Sequence, residues 1–173
     1  LTSSGIHFVK SQNMGFALDI YGEMQFSPNG DKFVIADYNG SQVGVFDFDI
    51  TTATFSNLIT ISPGFNPYGV AFSASQQYLY IGSGNSQNQL KQYNMHTAVP
   101  TLTGTYTTPG NGSSAVRLGN DGRLYVANAT TDHSPYPALT VLQFPDSMGN
   151  SVLQTTLSLS PYSSTSGLPS KPA

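Results

Sequence analysis

The apolar and polar positions of the chain repeat three times at a constant interval. In three separate columns, apolar residues recur every 46 residues: Phe26, Phe72 and Leu118; Phe33, Leu79 and Tyr125; Val34, Tyr80 and Val126. A fixed period of this length, kept without a gap in several columns, is typical of a protein built from equivalent structural units.

Each repeat begins with two apolar segments separated by a short polar turn. The turns are Pro28-Asn29-Gly30, Ala74-Ser75-Gln76 and Asn120-Asp121-Gly122. Asn-Gly and Asp-Gly readily adopt the positive φ angles of a tight hairpin, so this pattern predicts two antiparallel strands joined by a turn.

Two further strands are predicted in every repeat, and they alternate more with polar residues. The third strands are Val43–Phe48, Leu90–Tyr93 and Leu139–Phe144, and the fourth are Thr54–Ile61, Leu102–Thr107 and Val152–Leu159. The early strands are more continuously apolar, which favours their burial between neighbouring sheets and leaves the fourth strands facing solvent. The chain lacks sustained apolar spacing of three and four residues with caps, so almost no helix is expected.

Four strands in about 46 residues predict the blade of a β-propeller, an all-β fold of four-stranded antiparallel sheets. The alternative is a β-sandwich, whose connections rarely share one length. The predicted blades are residues 22–67, 68–113 and 114–160. Residues 1–21 are expected to be outer strands of a preceding blade and 161–173 a C-terminal tail. The chain then forms about three and a half blades of an incomplete ring, which other blades or another chain would complete.

Composition narrows the functional classes. Only 9% of the 173 residues are charged and the net charge is −3, with no basic cluster, so nucleic acid is not expected as a partner. No apolar run reaches the ~20 residues of a membrane span. The absence of cysteine excludes disulfides, Cys-ligated metals and a thiol nucleophile. The surface, rich in Ser, Thr, Asn and Gln, favours an exported protein.

Several segments in order resemble one family of proteins. They are the turn Ser27-Pro28-Asn29-Gly30-Asp31-Lys32 with the strand Val45-Phe46-Asp47-Phe48-Asp49, then Asn66–Ser73, Leu90–Tyr93, Asp121–Ala127 and Gly167-Leu168-Pro169. This set is similar to the propeller module of large surface proteins of gliding Bacteroidetes, which are exported by type IX secretion. The resemblance implies an extracellular or cell-surface location and a role as a non-catalytic module.

Residues able to carry catalysis or bind metal are few. The three histidines, His7, His96 and His133, are not at metal-ligand spacing, and Asp132-His133 is expected to lie in a solvated loop. Asp47 and Asp49 share one face of a strand, which permits Ca²⁺ binding, but strand-end charges that discourage edge pairing are the favoured interpretation. We therefore predict no catalytic residue, metal or cofactor.

A binding surface is predicted on one rim of the propeller. The loops between second and third strands and the loops between blades meet there, and they place aromatic rings beside amides and hydroxyls, which suits glycans or peptides. The candidate residues are Tyr38, Asn39, Asn66, Tyr68, Asn85, Asn88, Asp132, His133 and Tyr136.

Three functions are compatible with these features. The favoured one is a non-catalytic extracellular module for adhesion, or for ligand or protein binding, within a larger secreted protein. The second is part of a lactonase- or glycosidase-like propeller enzyme whose site lies mostly on other blades. The third is a structural module that closes onto another chain.

Overall fold

The computed structural model describes residues 10–17, 21–84, 87–109, 115–129, 134–165 and 167–168. Within these ranges the chain forms strands and one short 3₁₀ turn, Gly149–Ser151. The strands are β1 (Met24–Phe26), β2 (Lys32–Asp37), β3 (Gln42–Asp49), β4 (Thr54–Ile61), β5 (Pro67–Phe72), β6 (Tyr78–Ser83), β7 (Gln89–Asn94), β8 (Thr101–Thr107), β9 (Val116–Leu118), β10 (Leu124–Ala129), β11 (Pro135–Leu142) and β12 (Gln154–Ser158). In these ranges no helix has the length and hydropathy of a membrane-crossing segment.

The strands form three four-stranded antiparallel sheets, each a meander in chain order. Sheet 1 contains β1–β4, sheet 2 contains β5–β8 and sheet 3 contains β9–β12. The all-β class and the four-stranded repeats are therefore confirmed. Residues 10–17 form no strand, and the assignment of residues 1–21 to a preceding blade and of 161–173 to a tail stays a prediction.

Strand bounds differ from the prediction mainly in sheet 3. β11 begins at Pro135, earlier than Leu139, and ends at Leu142. β12 begins at Gln154 because Val152 closes the 3₁₀ turn instead and is fully buried. The apolar character of Val152 indicated a strand, but it reflects packing against the core.

In sheet 3 the strand pairing is displaced by one residue from the repeat column Phe33, Leu79 and Tyr125. Phe26 pairs with Phe33, and Phe72 pairs with Leu79, but Leu118 pairs with Leu124 and not with Tyr125. The three turns agree up to the residue of positive φ, which is Gly30, Gln76 or Gly122. After that residue the third turn is one residue shorter than the other two. Residues of β10 that the 46-residue interval aligns with β2 and β6 therefore lie on the opposite face of their sheet.

The sheets stack in chain order through opposite faces. Successive residues of a strand point to opposite faces of the sheet, so each sheet has two faces. We call face A the side that carries Phe26 in sheet 1 and the equivalent residues in the other sheets, and face B the opposite side. Face A carries Phe26, Phe33 and Phe46 in sheet 1, Phe72, Leu79 and Tyr93 in sheet 2, and Leu118, Leu124 and Leu142 in sheet 3; face B carries Gln25, Val34 and Val45, then Ala71, Tyr80 and Gln92, then Arg117, Tyr125 and Val141.

Two apolar clusters hold the stack together. Face B of sheet 1 packs on face A of sheet 2, and face B of sheet 2 packs on face A of sheet 3. Full burial of one leucine or phenylalanine side chain contributes about 2 kcal/mol, so these interfaces supply much of the stability. As predicted, β4 and β12 are largely exposed. β1 is also exposed, contrary to the prediction for early strands, because no described sheet covers face A of sheet 1.

A buried glutamine connects sheets 2 and 3. Gln92 on β7 is fully buried. Its Nε2 donates to Tyr80 Oη (2.6 Å) and to the Ser147 carbonyl (2.6 Å), while Oε1 accepts from Thr103 Oγ1 (2.8 Å) and from the Gly149 amide (2.9 Å). The same side chain thus satisfies both a carbonyl and an amide of the loop between β11 and β12.

Two tyrosines extend this buried network. Tyr80 Oη donates to the Pro145 carbonyl (2.8 Å), and Tyr106 Oη donates to the Gly149 carbonyl (2.9 Å). Burial raises the pKa of Tyr80 strongly and that of Tyr106 to about 12. Both hydroxyls therefore stay protonated donors at any physiological pH.

Asp146 makes a second polar connection between sheets 2 and 3, and it predicts a pH dependence. Its Oδ1 accepts from the Ser75 amide (3.1 Å) and hydroxyl (2.5 Å). Burial opposes ionisation, but hydrogen bonds from Ser73 and Ser75 outweigh it, so the pKa of Asp146 lies below its usual value of 3.8. The resulting stabilisation is present above that value and is lost as pH falls through the lowered pKa.

The isosteric variant Asp146→Asn tests this connection. As the pH is lowered through and below 3.8, the urea midpoint of the wild type should fall further than that of Asp146→Asn, because only the wild type has a carboxylate at position 146 that becomes protonated. Equal losses in the two proteins over this window would contradict the stabilising role of the carboxylate.

Candidate functional site

Three of the predicted rim residues come together. Asn66 Nδ2 donates to the Tyr38 carbonyl (2.8 Å), and the Gly84 amide donates to the Asn66 carbonyl (2.7 Å). A Cβ atom on Gly84 would lie 2.5 Å from Tyr38 Cε2 and 3.0 Å from Tyr68 Cβ. The glycine therefore lets both tyrosines pack against the end of β6. This cluster joins loops of sheets 1 and 2.

The structure also describes three of the other predicted rim residues. Asn39 is exposed in the turn between β2 and β3, and the Asn88 carbonyl accepts the Thr108 amide (2.9 Å). Tyr136 pairs with Ser164 in an isolated bridge. Asn85, Asp132 and His133 lie outside the described residues. A ligand on this rim stays a prediction.

The two aspartates of β3 serve local structure. Asp47 accepts from Lys32 Nζ (2.7 Å) and Asn57 Nδ2 (2.7 Å), and these hydrogen bonds lower its pKa. Asp49 accepts from the Thr52 hydroxyl (2.8 Å) and the Thr51 amide (2.8 Å), which likewise lower its pKa. β3 is paired on both sides, by β2 and β4, so the expected role of these charges in discouraging edge pairing does not apply; they fix the end of the strand and the turn after it instead. Nowhere in the described ranges do three or more His, Cys, Asp or Glu side chains form a possible metal site.

An ion pair that was not predicted from the sequence links the first and third of the innermost strands, which we define as the first strand of each sheet, β1, β5 and β9. Arg117 Nη1 on β9 donates to Glu23 Oε2 (2.6 Å) and to the Val116 carbonyl (2.9 Å). The Val116 amide also donates to Glu23 Oε2 (3.4 Å), and Gln25 Nε2 on β1 donates to the Val116 carbonyl (2.8 Å). Residues of the first and third repeats therefore meet directly.

This contact depends on small residues in the second repeat. Glu23 lies just before β1 and Gln25 lies on it. The 46-residue repeat aligns these two residues with Gly69 and Ala71 on β5. Because these residues of β5 have almost no side chain, Glu23 and Gln25 reach past β5 to β9. The small residues at positions 69 and 71 are the sequence feature that could have indicated this ion pair.

Burial governs the electrostatics of the pair. Burial raises the pKa of Glu23 by more than the hydrogen bond and charge of Arg117 and the backbone amides of Val116 and Val70 lower it. The neighbouring Tyr68 has a raised pKa, first through its own burial and then through the charge of Glu23. The ion pair brings little net charge to the site, and the guanidinium side chain remains 25% exposed.

A cavity of about 400 Å³ adjoins this pair. Three of its lining residues occupy the same repeat position at the ends of the innermost strands, and the others come from β1, the turn after it and β9. The lining residues are Met24, Gln25, Phe26, Ser27, Pro28, Phe72, Arg117 and Leu118. The wall combines apolar side chains with amide, hydroxyl and guanidinium groups in nearly equal measure, so it offers both kinds of contact to a small molecule.

Comparison with known proteins identifies the fold. No family model and no curated protein matches the chain. Among solved structures, the chain is similar to the periplasmic gluconolactonase PpgL of Pseudomonas aeruginosa (TM-score 0.54, 16% identity, 81% of this chain and 41% of that one). It is also similar to a putative 6-phosphogluconolactonase of Bacteroides uniformis (0.55, 15%, 79% and 40%) and to a chain of a nidogen/laminin complex (0.54, 14%, 78% and 47%).

At 14–16% sequence identity, these similarities show the fold but not the function. The chain spans less than half of each of these three solved chains. Together with three stacked four-stranded meanders, the similarities show that the chain has the all-β fold of β-propeller blades.

Proposed function

We propose that this chain is part of a non-catalytic β-propeller that binds a small neutral ligand, such as a glycan segment, in the cavity beside Arg117. The cavity carries the proposal, because it combines apolar walls with a guanidinium that is held in place and still partly exposed. In keeping with the resemblance to Bacteroidetes surface modules, we further propose an extracellular or cell-surface location.

The ion pair supports a neutral ligand. Glu23 balances the charge of Arg117, so a charged ligand gains little from the site as a whole. The guanidinium fork and the Gln25 amide suit carbonyl or hydroxyl oxygens, while Met24 and Phe26 offer an apolar surface for the face of a sugar ring.

The enzyme alternative rests on two observations. Two of the similar structures are described as lactonases, and the raised pKa of Glu23 is a property found in general acids. Against this role, Glu23 Oε2 is already engaged by Arg117 and by the Val116 amide, so the carboxylate acts first as the anchor of the guanidinium.

Binding of neutral trisaccharides, measured by isothermal titration calorimetry with a panel that includes maltotriose and chitotriose, tests the proposal. Arg117→Lys keeps a positive charge beside Glu23 but removes the planar donor fork, and we expect about tenfold weaker binding. Arg123→Lys is the matched control, since Arg123 is exposed on the turn before β10 and pairs with Asp121. It should bind as the wild type does.

Other outcomes count against the proposal. No heat with any trisaccharide, or equal affinities for Arg117→Lys and wild type, would contradict binding at this cavity. Turnover of glucono-1,5-lactone that disappears in Glu23→Gln would favour the enzyme instead.

A further inference from the structure

The carboxylate of Glu23 is enclosed by hydrogen-bond donors from the two other repeats. Arg117 Nη1 lies 2.6 Å from Glu23 Oε2, and the Val116 amide lies 3.4 Å from the same oxygen. The backbone amide of Val70 on β5 is a third donor to this carboxylate. Only 12% of the Glu23 side chain is exposed. One carboxylate of the first repeat is therefore held by groups of the second and third repeats.

The two backbone donors occupy the same place in their repeats. Val70 and Val116 are 46 residues apart, which is the interval of the repeat. Both lie on the first strand of their sheet, which is paired on one side only, so its other edge presents free amides. Backbone amides that converge with a guanidinium form strong, charge-assisted hydrogen bonds to a carboxylate. The groups around Glu23 thus have the chemistry of a carboxylate site, and the occupant belongs to the chain itself.

The backbone position of Glu23 does not depend on its carboxylate. Its amide donates to the Tyr68 carbonyl (2.8 Å), and its carbonyl accepts from the Ala36 amide (2.9 Å). At the equivalent positions the second and third repeats have Gly69 and Ala115, which carry no carboxylate. Removal of the Glu23 side chain beyond Cβ should therefore leave the strands in place and the donors unoccupied.

We infer that the two valine amides and Arg117 form a carboxylate-binding site, and that Glu23 occupies it and so keeps acidic ligands out of the adjoining cavity. Arg117 lines that cavity, and its side chain is 25% exposed, so a ligand there reaches the site. A second carboxylate at the guanidinium meets the like charge of Glu23. This selectivity rests on the proposed ligand binding in the cavity, whereas the carboxylate site rests on the contacts of Glu23 alone.

Chemical rescue by acetate tests the site in the purified intact protein. Glu23→Ala empties the site and introduces the residue that the third repeat has at this position. Acetate at roughly tenfold its Kd should raise the melting temperature of this variant by about 4 °C relative to chloride at equal ionic strength. The wild type should show no such difference, because Glu23 fills the site. Adding Arg117→Gln to Glu23→Ala should abolish the rescue.

Asp121→Ala is the matched control for the rescue. Asp121 pairs with Arg123 at 3.8 Å, but these side chains are 44% and 49% exposed, so the guanidinium left behind lies in water. Acetate should stabilise this variant no more than chloride does. The inference is overturned by equal acetate effects in Asp121→Ala and Glu23→Ala, or by a Glu23→Ala protein that does not distinguish acetate from chloride.

A second variant tests the selectivity and does not require that Glu23→Ala folds. Glu23→Gln keeps the shape of the side chain but leaves the charge of Arg117 unbalanced. Calorimetry with trigalacturonic acid should show about tenfold tighter binding to this variant than to the wild type. Equal affinities would contradict the role of Glu23. If maltotriose and chitotriose do not bind while acetate rescue succeeds, the proposed neutral ligand is wrong and the carboxylate site stands.

Discussion

Replacing Gln92 with leucine is expected to lower the free energy of unfolding by about 3 kcal/mol. Leucine fits the buried volume but cannot pair with the loop between β11 and β12. In the wild type the Ser147 carbonyl lies 2.6 Å from Gln92 Nε2, and the Gly149 amide lies 2.9 Å from Gln92 Oε1. Both groups lose this partner in the variant. A buried polar group without a partner costs about 1–3 kcal/mol.

Urea unfolding at constant pH measures this loss. Gln89→Leu is the matched control, because Gln89 lies on the same strand and is partly exposed, and its effect should stay within about 0.5 kcal/mol. If Gln92→Leu were as stable as this control, the hydrogen bonds between sheets 2 and 3 would contribute nothing net, and apolar packing alone would hold that interface.

The sequence predicted the sheets because their cause is local and periodic. Alternating apolar residues, turns at Gly30 and Gly122 and a constant interval are enough to specify four-stranded meanders. The exact register in sheet 3 was not predictable from the interval, since one residue fewer after Gly122 moves the pairing from Tyr125 to Leu124. The period describes the repeat, whereas the length of each turn sets the register.

The candidate site was not predicted for a different reason. The rim residues Tyr38, Asn66 and Tyr68 do meet, because loops of adjacent repeats must lie on the same edge. The ion pair between Glu23 and Arg117 joins residues 94 positions apart in two repeats that are not consecutive. Its formation depends on the small residues between them. A pattern of apolar and polar positions does not describe residue size, so it could not predict the ion pair.

The inner strands connect the fold to the proposed function. At the inner end of each sheet, face A contributes Phe26, Phe72 or Leu118 to the cavity wall, and face B contributes Gln25 or Arg117. The same strands therefore build the core between sheets and the walls of the cavity. It follows that a substitution at the boundary of core and cavity should change stability and binding together.

Phe72→Ala is the substitution that tests this coupling, and we expect it to cost about 4 kcal/mol of unfolding free energy. Phe72 is 2% exposed within the cluster between sheets 1 and 2, and truncation would leave a void there that the rigid strands cannot fill. The exposed Phe144, at 57%, provides the control, since Phe144→Ala should change stability by less than about 0.5 kcal/mol.

The measurement pairs urea unfolding with trisaccharide titration on the same samples. Because Phe72 also lines the cavity, the variant should bind more weakly even under conditions in which it is fully folded. A large loss of stability without any change in affinity would show that the cavity wall at Phe72 does not touch the ligand. A stability loss no larger than that of Phe144→Ala would contradict the stacking of sheets 1 and 2 through Phe72.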